Sequence, residues 1–280
     1  MSNKILDIKN LSFHYKNTNR DSDKKWIKIF ENVNINTPNQ SIIGIAGKSG
    51  CGKTTLAKAI VNYFSLSSLR INKDYKIDGE IIFYNNNKKY KVGNKSYKHI
   101  SPPPIQMVFQ DPRTSLNMRM KLYDQLKESI MIGNDLSKID LDSSIRKIAK
   151  DFRIIEHLNS IPQDLSGGQR RRFGLAKIIS SNPKLIIADE PVASLDVSIK
   201  QDIMNTLFSL TDRGITIVVI SHDISLLKNN ADFIFIMDNG KVVEKWDPKK
   251  PPKNKETIRL NNDSEYVNQF IYKINNHENF

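Results

Sequence analysis

The chain has 280 residues, with 43 Lys+Arg against 30 Asp+Glu for a formal charge of +13, and it is 39% hydrophobic and 26% charged. That balance excludes a disordered or fibrous chain and leaves room for a substantial core. No apolar run reaches the roughly 18–20 residues of a membrane-spanning helix, and a single cysteine, Cys51, excludes an internal disulfide framework or a multi-cysteine metal site.

The opening MSNKILDIKN has no apolar secretory segment, so a cytosolic protein is expected. The surplus charge falls in three stretches: Lys16, Arg20, Lys24, Lys25 and Lys28; Lys88, Lys89, Lys91, Lys95 and Lys98; and Lys241 to Arg259, with seven bases against three acids. All three read as polar loops or tails with few interleaved aromatics. That is weak ground for nucleic-acid binding and favours solvated surface with modest attraction to an anionic membrane face.

In chain order, Ile5–Ile8, Phe30–Asn36 and Ile81–Tyr84 read as strands of an N-terminal antiparallel sheet. The apolar run Ser41–Ala46 leads into Gly47-Lys48-Ser49-Gly50-Cys51-Gly52-Lys53-Thr54, which fits G-x-x-x-x-G-K-[ST]. Leu56, Ile60 and Phe64 then recur as one helical face. Glycines at these positions let backbone N–H groups curl around an anion, and the following helix N-terminus adds its partial positive charge. Lys53 supplies a point charge for β- and γ-phosphates, and Thr54 a hydroxyl for the accompanying Mg²⁺. Cys51 reads as a small filler of the loop. Two amphipathic runs follow, Leu122–Ile132 and Leu141–Leu158, and then Leu165-Ser166-Gly167-Gly168-Gln169, a Ser-capped helix start with room for a second anion.

Leu185–Ala188 is continuously apolar, as a buried parallel strand should be, and ends in Asp189-Glu190. A phosphate loop needs a carboxylate at the end of a neighbouring strand. Asp189 suits Mg²⁺, and Glu190 suits the role of orienting and polarising an attacking water. Ile199, Ile203, Leu207 and Leu210 mark a core-facing helix. Ile215–Ile220 and Phe233–Met237 read as parallel strands, with Asn239-Gly240 signalling a hairpin to Lys241–Glu244.

The ordered set resembles the ATP-binding-cassette (ABC) family over roughly residues 1–245. Leu165–Gln169 looks like its signature, Gln110 in Val108–Pro112 its Q-loop, Ser194-Leu195-Asp196 its D-loop and His222 its switch histidine. Tyr15 resembles the aromatic that stacks on adenine, with Phe13 as the competing ring. The resemblance implies an α/β P-loop NTPase with a RecA-like core, an N-terminal antiparallel subdomain and an inserted helical subdomain at about 112–180. The cassette would span 1–247, followed by a tail, 248–280, of open role. It also implies ATP binding through Tyr15, Gly47, Lys48, Ser49, Gly50, Cys51, Gly52, Lys53, Thr54, Thr55 and Gln110, and Mg²⁺ at Thr54, Gln110 and Asp189. Hydrolysis would fall to Glu190 and His222, and the signature Leu165, Ser166, Gly167, Gly168 and Gln169 would contact the nucleotide of a partner subunit.

The spacers Met107–Met120 and Glu190–Gln201 are similar to the peptide and nickel importer branch, although the stretch after Asp247 lacks that branch's His-Pro-Tyr element. The expected partners are a second cassette, identical or related, two membrane permeases that dock a coupling helix beside the Q-loop, and indirectly an extracytoplasmic substrate-binding protein. The expected place is the cytoplasmic face of the membrane. A soluble ABC-type ATPase acting on nucleic acid or ribosomes, or an export cassette, are the alternatives left open.

Overall fold

A computed structural model describes residues 4–17, 25–66, 74–86, 88–93, 97, 104–134, 140–193 and 195–264. The first sheet is antiparallel. Long strands β1 (Lys4–Lys16) and β2 (Trp26–Pro38) pair from Lys4↔Pro38 to Lys16↔Trp26 with register shifts between, and β4 (Tyr75–Asn85) and β5 (Lys88–Lys91) extend the sheet beyond β1.

The second sheet has six strands in the order β10-β9-β3-β8-β7-β6. They are β3 (Ile42–Gly47), β6 (Ile105–Val108), β7 (Leu185–Asp189), β8 (Thr216–Ser221), β9 (Phe233–Asp238) and β10 (Lys241–Trp246). All neighbours are parallel except β9 and β10, which are joined through Asn239 and Gly240, both at positive φ as a tight hairpin turn requires.

Side-chain alternation along the six strands divides the interior into two cores. Ile43, Ile45, Leu185, Ile187, Val218, Ile220, Phe235 and Met237 face the antiparallel sheet, with α1 (Lys53–Ile60) packed among them through Leu56, Ala57 and Ile60. Ile186, Ala188, Ile217, Val219, Ile234 and Ile236 face the other way, onto a helical layer. A short helix, α2 (Tyr63–Leu66), follows α1.

Between β6 and β7 the described regular structure is helical: α3 (Leu122–Gly133), α4 (Leu141–Asp151) and α5 (Gly167–Ser180), with short 3₁₀ turns at Pro112–Thr114, Ile155–His157 and Pro162–Asp164. The run expected through Leu158 stops earlier. Arg153 takes a left-handed conformation (φ 55°), and the Ile154 N–H turns back to the Ala149 carbonyl at 2.8 Å, a helix-ending turn. Helices α6 (Val197–Phe208) and α7 (Ser225–Lys228) complete the layer. A closing helix covers 255–264 and sets Leu260 against the same core.

Two sequence expectations need correction. β7 is not adjacent to the phosphate-loop strand. β8 lies between β3 and β7, so Asp189 is reached across one strand by α1 rather than by β3 itself. The basic stretches are also not all loops or tails. Lys28 is on β2, Lys88, Lys89 and Lys91 are on β5, and Lys241 and Lys245 are on β10, where alternation points polar side chains outward. Several are paired: Lys28 and Lys241 with Glu31 at 2.8 and 3.0 Å, and Lys91 with Glu80 at 2.8 Å. Arg20, Lys24, Lys95 and Lys98 lie outside the described residues.

Candidate active site

The phosphate loop connects β3 to α1. Gly47 is buried, whereas Lys48, Ser49 and Gly50 are exposed. A Cβ on Gly47 would sit 2.2 Å from the Met237 carbonyl oxygen, so a side chain is excluded there by backbone; at Gly50 (φ 80°) nothing lies within 4 Å, leaving open space inside the loop. Lys53 is buried, and its ammonium donates to the carbonyls of Gly47 and Lys48 at 2.7 and 2.9 Å, which holds the charge at the mouth of the loop. Cys51 is buried. Burial pushes its thiol above the ordinary value, while the Lys53 charge opposes it.

One residue beyond Lys53, the Thr54 hydroxyl donates to Asp189 Oδ1 at 3.2 Å. Asp189 is 3% exposed; burial pushes its carboxyl up, Thr54 pulls it back, and the neighbouring Glu190 pushes it up again. A hydroxyl beside a carboxylate is a hard-oxygen donor set that suits Mg²⁺, which takes few protein ligands and completes its shell with water and phosphate.

Glu190 takes a positive φ of 47°, and its N–H is held by the Ile220 carbonyl at 2.9 Å. That turn swings the carboxylate onto the residues following β8. Glu190 Oε1 accepts the His222 N–H at 2.9 Å and lies 2.7 Å from His222 Nδ1, while the Ser221 hydroxyl reaches Oε2 at 3.5 Å. Ser49, Gly50, Gly52, Lys53, Thr54, Thr55, Gln110, Glu190 and His222, together with Ile29, line one cleft of about 380 Å³. Part of the phosphate loop, the Thr54 hydroxyl and a carboxylate paired with an imidazole therefore share one opening, with Asp189 buried behind Thr54. Of the two candidate aromatics, Phe13 is fully buried and Tyr15 is 36% exposed, so Tyr15 is the more accessible of the two. Burial raises the Tyr15 hydroxyl's affinity for its proton, and Thr55 lowers it.

The signature turn stands apart. Ser166 caps α5 by accepting the Gln169 N–H at 3.3 Å, and the Gln169 side chain returns to the Ser166 N–H at 2.9 Å, a reciprocal capping box. Gln169 also meets His157 at 3.0 Å, and Arg170 ties the turn to the carbonyls of Pro162 and Leu165, each at 2.9 Å. Ser166 and Gly167 are exposed, Leu165 and Gly168 buried. None of the five signature residues lines the phosphate-loop cleft; Gly167 instead lines a second one, of about 370 Å³, with Gln110, Arg171 and Leu195. Gly167 and Gly168 abut the next segment, since a Cβ on them would meet Leu195 at 3.8 Å and Ile199 at 3.3 Å. Leu195 is half-buried and Asp196, at the N-cap of α6, is exposed; Ser194 lies outside the described residues.

Four participants carried no signal of their own in the sequence: Ile29 in the cleft, Ser221 beside Glu190, Arg171 on the Q-loop backbone, and Glu256, whose carboxylate meets Lys48 at 3.5 Å from the closing helix. Only Ser221, as the neighbour of His222, was within reach of motif reasoning.

Strand, glycine loop, helix and a separate acidic strand end define a phosphate-loop nucleotide-binding cassette. The chain belongs to the ABC transporter family, whose profile matches residues 30–193. It is 34% identical over 244 residues to the oligopeptide transport ATP-binding protein OppF of Streptococcus mutans, covering 86% of this chain and 74% of that one. It is 32% identical over 246 residues to the dipeptide transport ATP-binding protein DppF of Lactococcus lactis, covering 86% and 74%. Among solved structures, it is similar to cbiO1 from Clostridium perfringens, part of the ABC transporter complex cbiONQ, with TM-score 0.71, 25% identity and coverage of 97% of this chain and 100% of that one. The dimeric cassette MJ0796 bound to ADP and Pi shares the fold, with TM-score 0.69, 24% identity and coverage of 88% and 100%.

Proposed function

We propose that this chain is the ATP-hydrolysing subunit of an importer for oligopeptides or dipeptides, working at the cytoplasmic face of the membrane as a head-to-tail pair of cassettes. The observation that carries the pairing is the division of its site. Loop residues, Thr54, Gln110 and Glu190–His222 share one cleft, while Ser166 and Gly167 are exposed outside it. A helix N-terminus that carries two glycines beside its Ser166 cap suits a phosphate, and a second cassette presenting the same turn would supply it to Lys53's nucleotide.

Lys53 and the loop amides would grip the phosphates, and Tyr15 would stack on the base. Thr54, Asp189 and Gln110 would hold Mg²⁺, which when bound neutralises negative charge on the phosphate oxygens. Glu190 would orient and polarise the attacking water, with His222 fixing the carboxylate through its N–H and ring. Leu195 and Asp196, with Ser194 before them, would lie at the contact between the two chains. Closure around ATP and reopening after hydrolysis would do the transport work.

No helix among the described residues is long and apolar enough to cross a membrane, so the path would be provided by two permease subunits, fed indirectly by an extracytoplasmic substrate-binding protein. Their docking place would be a groove of about 710 Å³ whose lining includes Tyr63, Met107, Phe109, Ile132 and Ile178, apolar enough to take the hydrophobic face of a short helix. Peptides are the cargo class proposed, from the relatives' names.

Deleting the gene should abolish uptake of a labelled dipeptide or oligopeptide, wild type should restore it, and Lys53→Ala should not. Uptake unchanged by deletion would overturn the peptide assignment. Detergent extraction should co-purify multispanning permeases; recovery with salt-sensitive nucleic acid or ribosomes would instead favour the soluble alternative.

A further inference from the structure

Three consecutive functions meet in two adjacent residues. The ring of Phe109 lines the groove of about 710 Å³, and the side chain of Gln110 lines the phosphate-loop cleft. The backbone joining them is gripped from the signature helix, because Arg171 Nη1 donates to the Phe109 carbonyl at 2.9 Å. Arg171 is 5% exposed and lies two residues beyond the signature's Gln169 on α5. Burial works against its charge, and Asp111 is the opposing charge nearby.

A buried guanidinium is an expensive way to hold one carbonyl, since an apolar residue of similar shape at such a place is often neutral or stabilising. The same stretch of chain is already fastened elsewhere. Lys177 donates to the Ser115 carbonyl at 2.9 Å, and the Gln125 amide donates to the carbonyls of Asn117 and Met120 at 2.8 and 2.9 Å. Those bonds hold residues 115–120, downstream of Phe109, whereas the Arg171 bond reaches the Phe109–Gln110 backbone itself and fixes it relative to the signature helix.

We propose that Arg171 is a positioning residue for ATP hydrolysis: it locks the Phe109–Gln110 backbone to α5, so that Gln110 and the signature turn move as one body when the groove beside Phe109 is engaged. In this role Arg171 acts through Gln110 rather than on the nucleotide. The proposal rests on the ATPase assignment above and adds the residue that links its two half-sites within one chain.

The test uses the purified full-length chain, measuring phosphate release, ATP affinity and thermal unfolding for wild type, Arg171→Met, Arg171→Lys, Gln110→Ala and the Gln110→Ala/Arg171→Met double variant. Arg171→Met should lower kcat about tenfold while ATP affinity stays within about twofold and the unfolding temperature does not fall. Arg171→Lys, which keeps a donor, should recover most of the loss. The double variant should be no slower than Gln110→Ala alone, because residues acting through one another are not additive.

Wild-type turnover in Arg171→Met, additive losses in the double variant, or a loss of kcat that follows a lowered unfolding temperature would each overturn the proposal. A wild-type chain that hydrolyses no ATP would overturn the ATPase reading together with it. Hydrolysis by wild type beside an unaffected Arg171→Met would overturn this proposal alone.

Discussion

Glu190 and His222 are joined twice, through the His222 backbone N–H at 2.9 Å and through ring Nδ1 at 2.7 Å, both to the same carboxylate oxygen. The left-handed turn at Glu190 makes this possible, because it carries the side chain away from β7 and over the end of β8. One oxygen is thereby committed to His222, while the other lies 3.5 Å from the Ser221 hydroxyl.

Glu190→Gln tests that division of labour. The amide oxygen still accepts from His222, so the fold and ATP affinity should be unchanged, while a carboxylate able to polarise water is lost. Phosphate release should fall by about 10²- to 10⁴-fold, the range for removing a general base. Unchanged turnover would assign the role elsewhere.

Lys53→Ala removes the buried charge from the loop. Two carbonyls, of Gly47 and Lys48, lose their donor at the same time. ATP binding should disappear from equilibrium titration, and the unpaired buried Gly47 carbonyl should lower stability as well. Near wild-type affinity would contradict the phosphate-loop assignment.

Gly47→Ala is expected to fail for another reason. Its Cβ would lie 2.2 Å from the Met237 carbonyl oxygen, which is backbone of β9 and cannot rotate away. Loss of about 1–3 kcal/mol in denaturant unfolding is expected from such overpacking. Gly50→Ala meets nothing within 4 Å, so its penalty should come from its φ of 80° alone and be smaller.

The parts of the fold visible in the sequence were those with local causes. The phosphate loop was legible because an anion cradle needs glycines at fixed spacing, and β7 and β8 because a strand buried on both faces is apolar throughout. β1 and β2 extend well past the expected Ile5–Ile8 and Phe30–Asn36, because their ends are built from alternating polar residues held by each other's backbone. The closing helix at 255–264 was hidden in a charged stretch. It is anchored from outside, with Glu244 accepting the N–H groups of Lys253 and Asn254 at 3.0 and 3.1 Å. Arg171 and Glu256 were illegible for the same reason: each matters for a partner distant in sequence, and nothing in the local pattern names that partner.

The Lys48–Glu256 pair allows a graded prediction. At 3.5 Å, with Lys48 about half exposed, it is a surface ion pair of the kind worth about 0.2–1 kcal/mol and screened by salt. Glu256→Gln should change ATP affinity by less than about fivefold, the factor that energy range allows, and the difference should vanish in high salt. A larger, salt-insensitive change would mean that the closing helix governs the loop by more than this contact.

Cys51 gives a pH-dependent check on the loop. Burial raises its thiol above the ordinary value, so at any given pH less thiolate is present than for an exposed cysteine, and thiolate is the reactive form. Alkylation of the native chain should therefore be slower than that of an unfolded chain. Its rate should keep rising with pH beyond the point where the unfolded chain has levelled off, since the folded group ionises later. ATP should slow it further, because the thiol sits between Gly50 and Gly52 in the loop that would close on phosphate. Timed alkylation followed by mass spectrometry, across pH and with or without ATP, measures all three. A native rate equal to the unfolded one at every pH would mean that Cys51 is not buried in the folded loop, and with it would go the packing of Gly47 against β9 that places the loop at the head of α1.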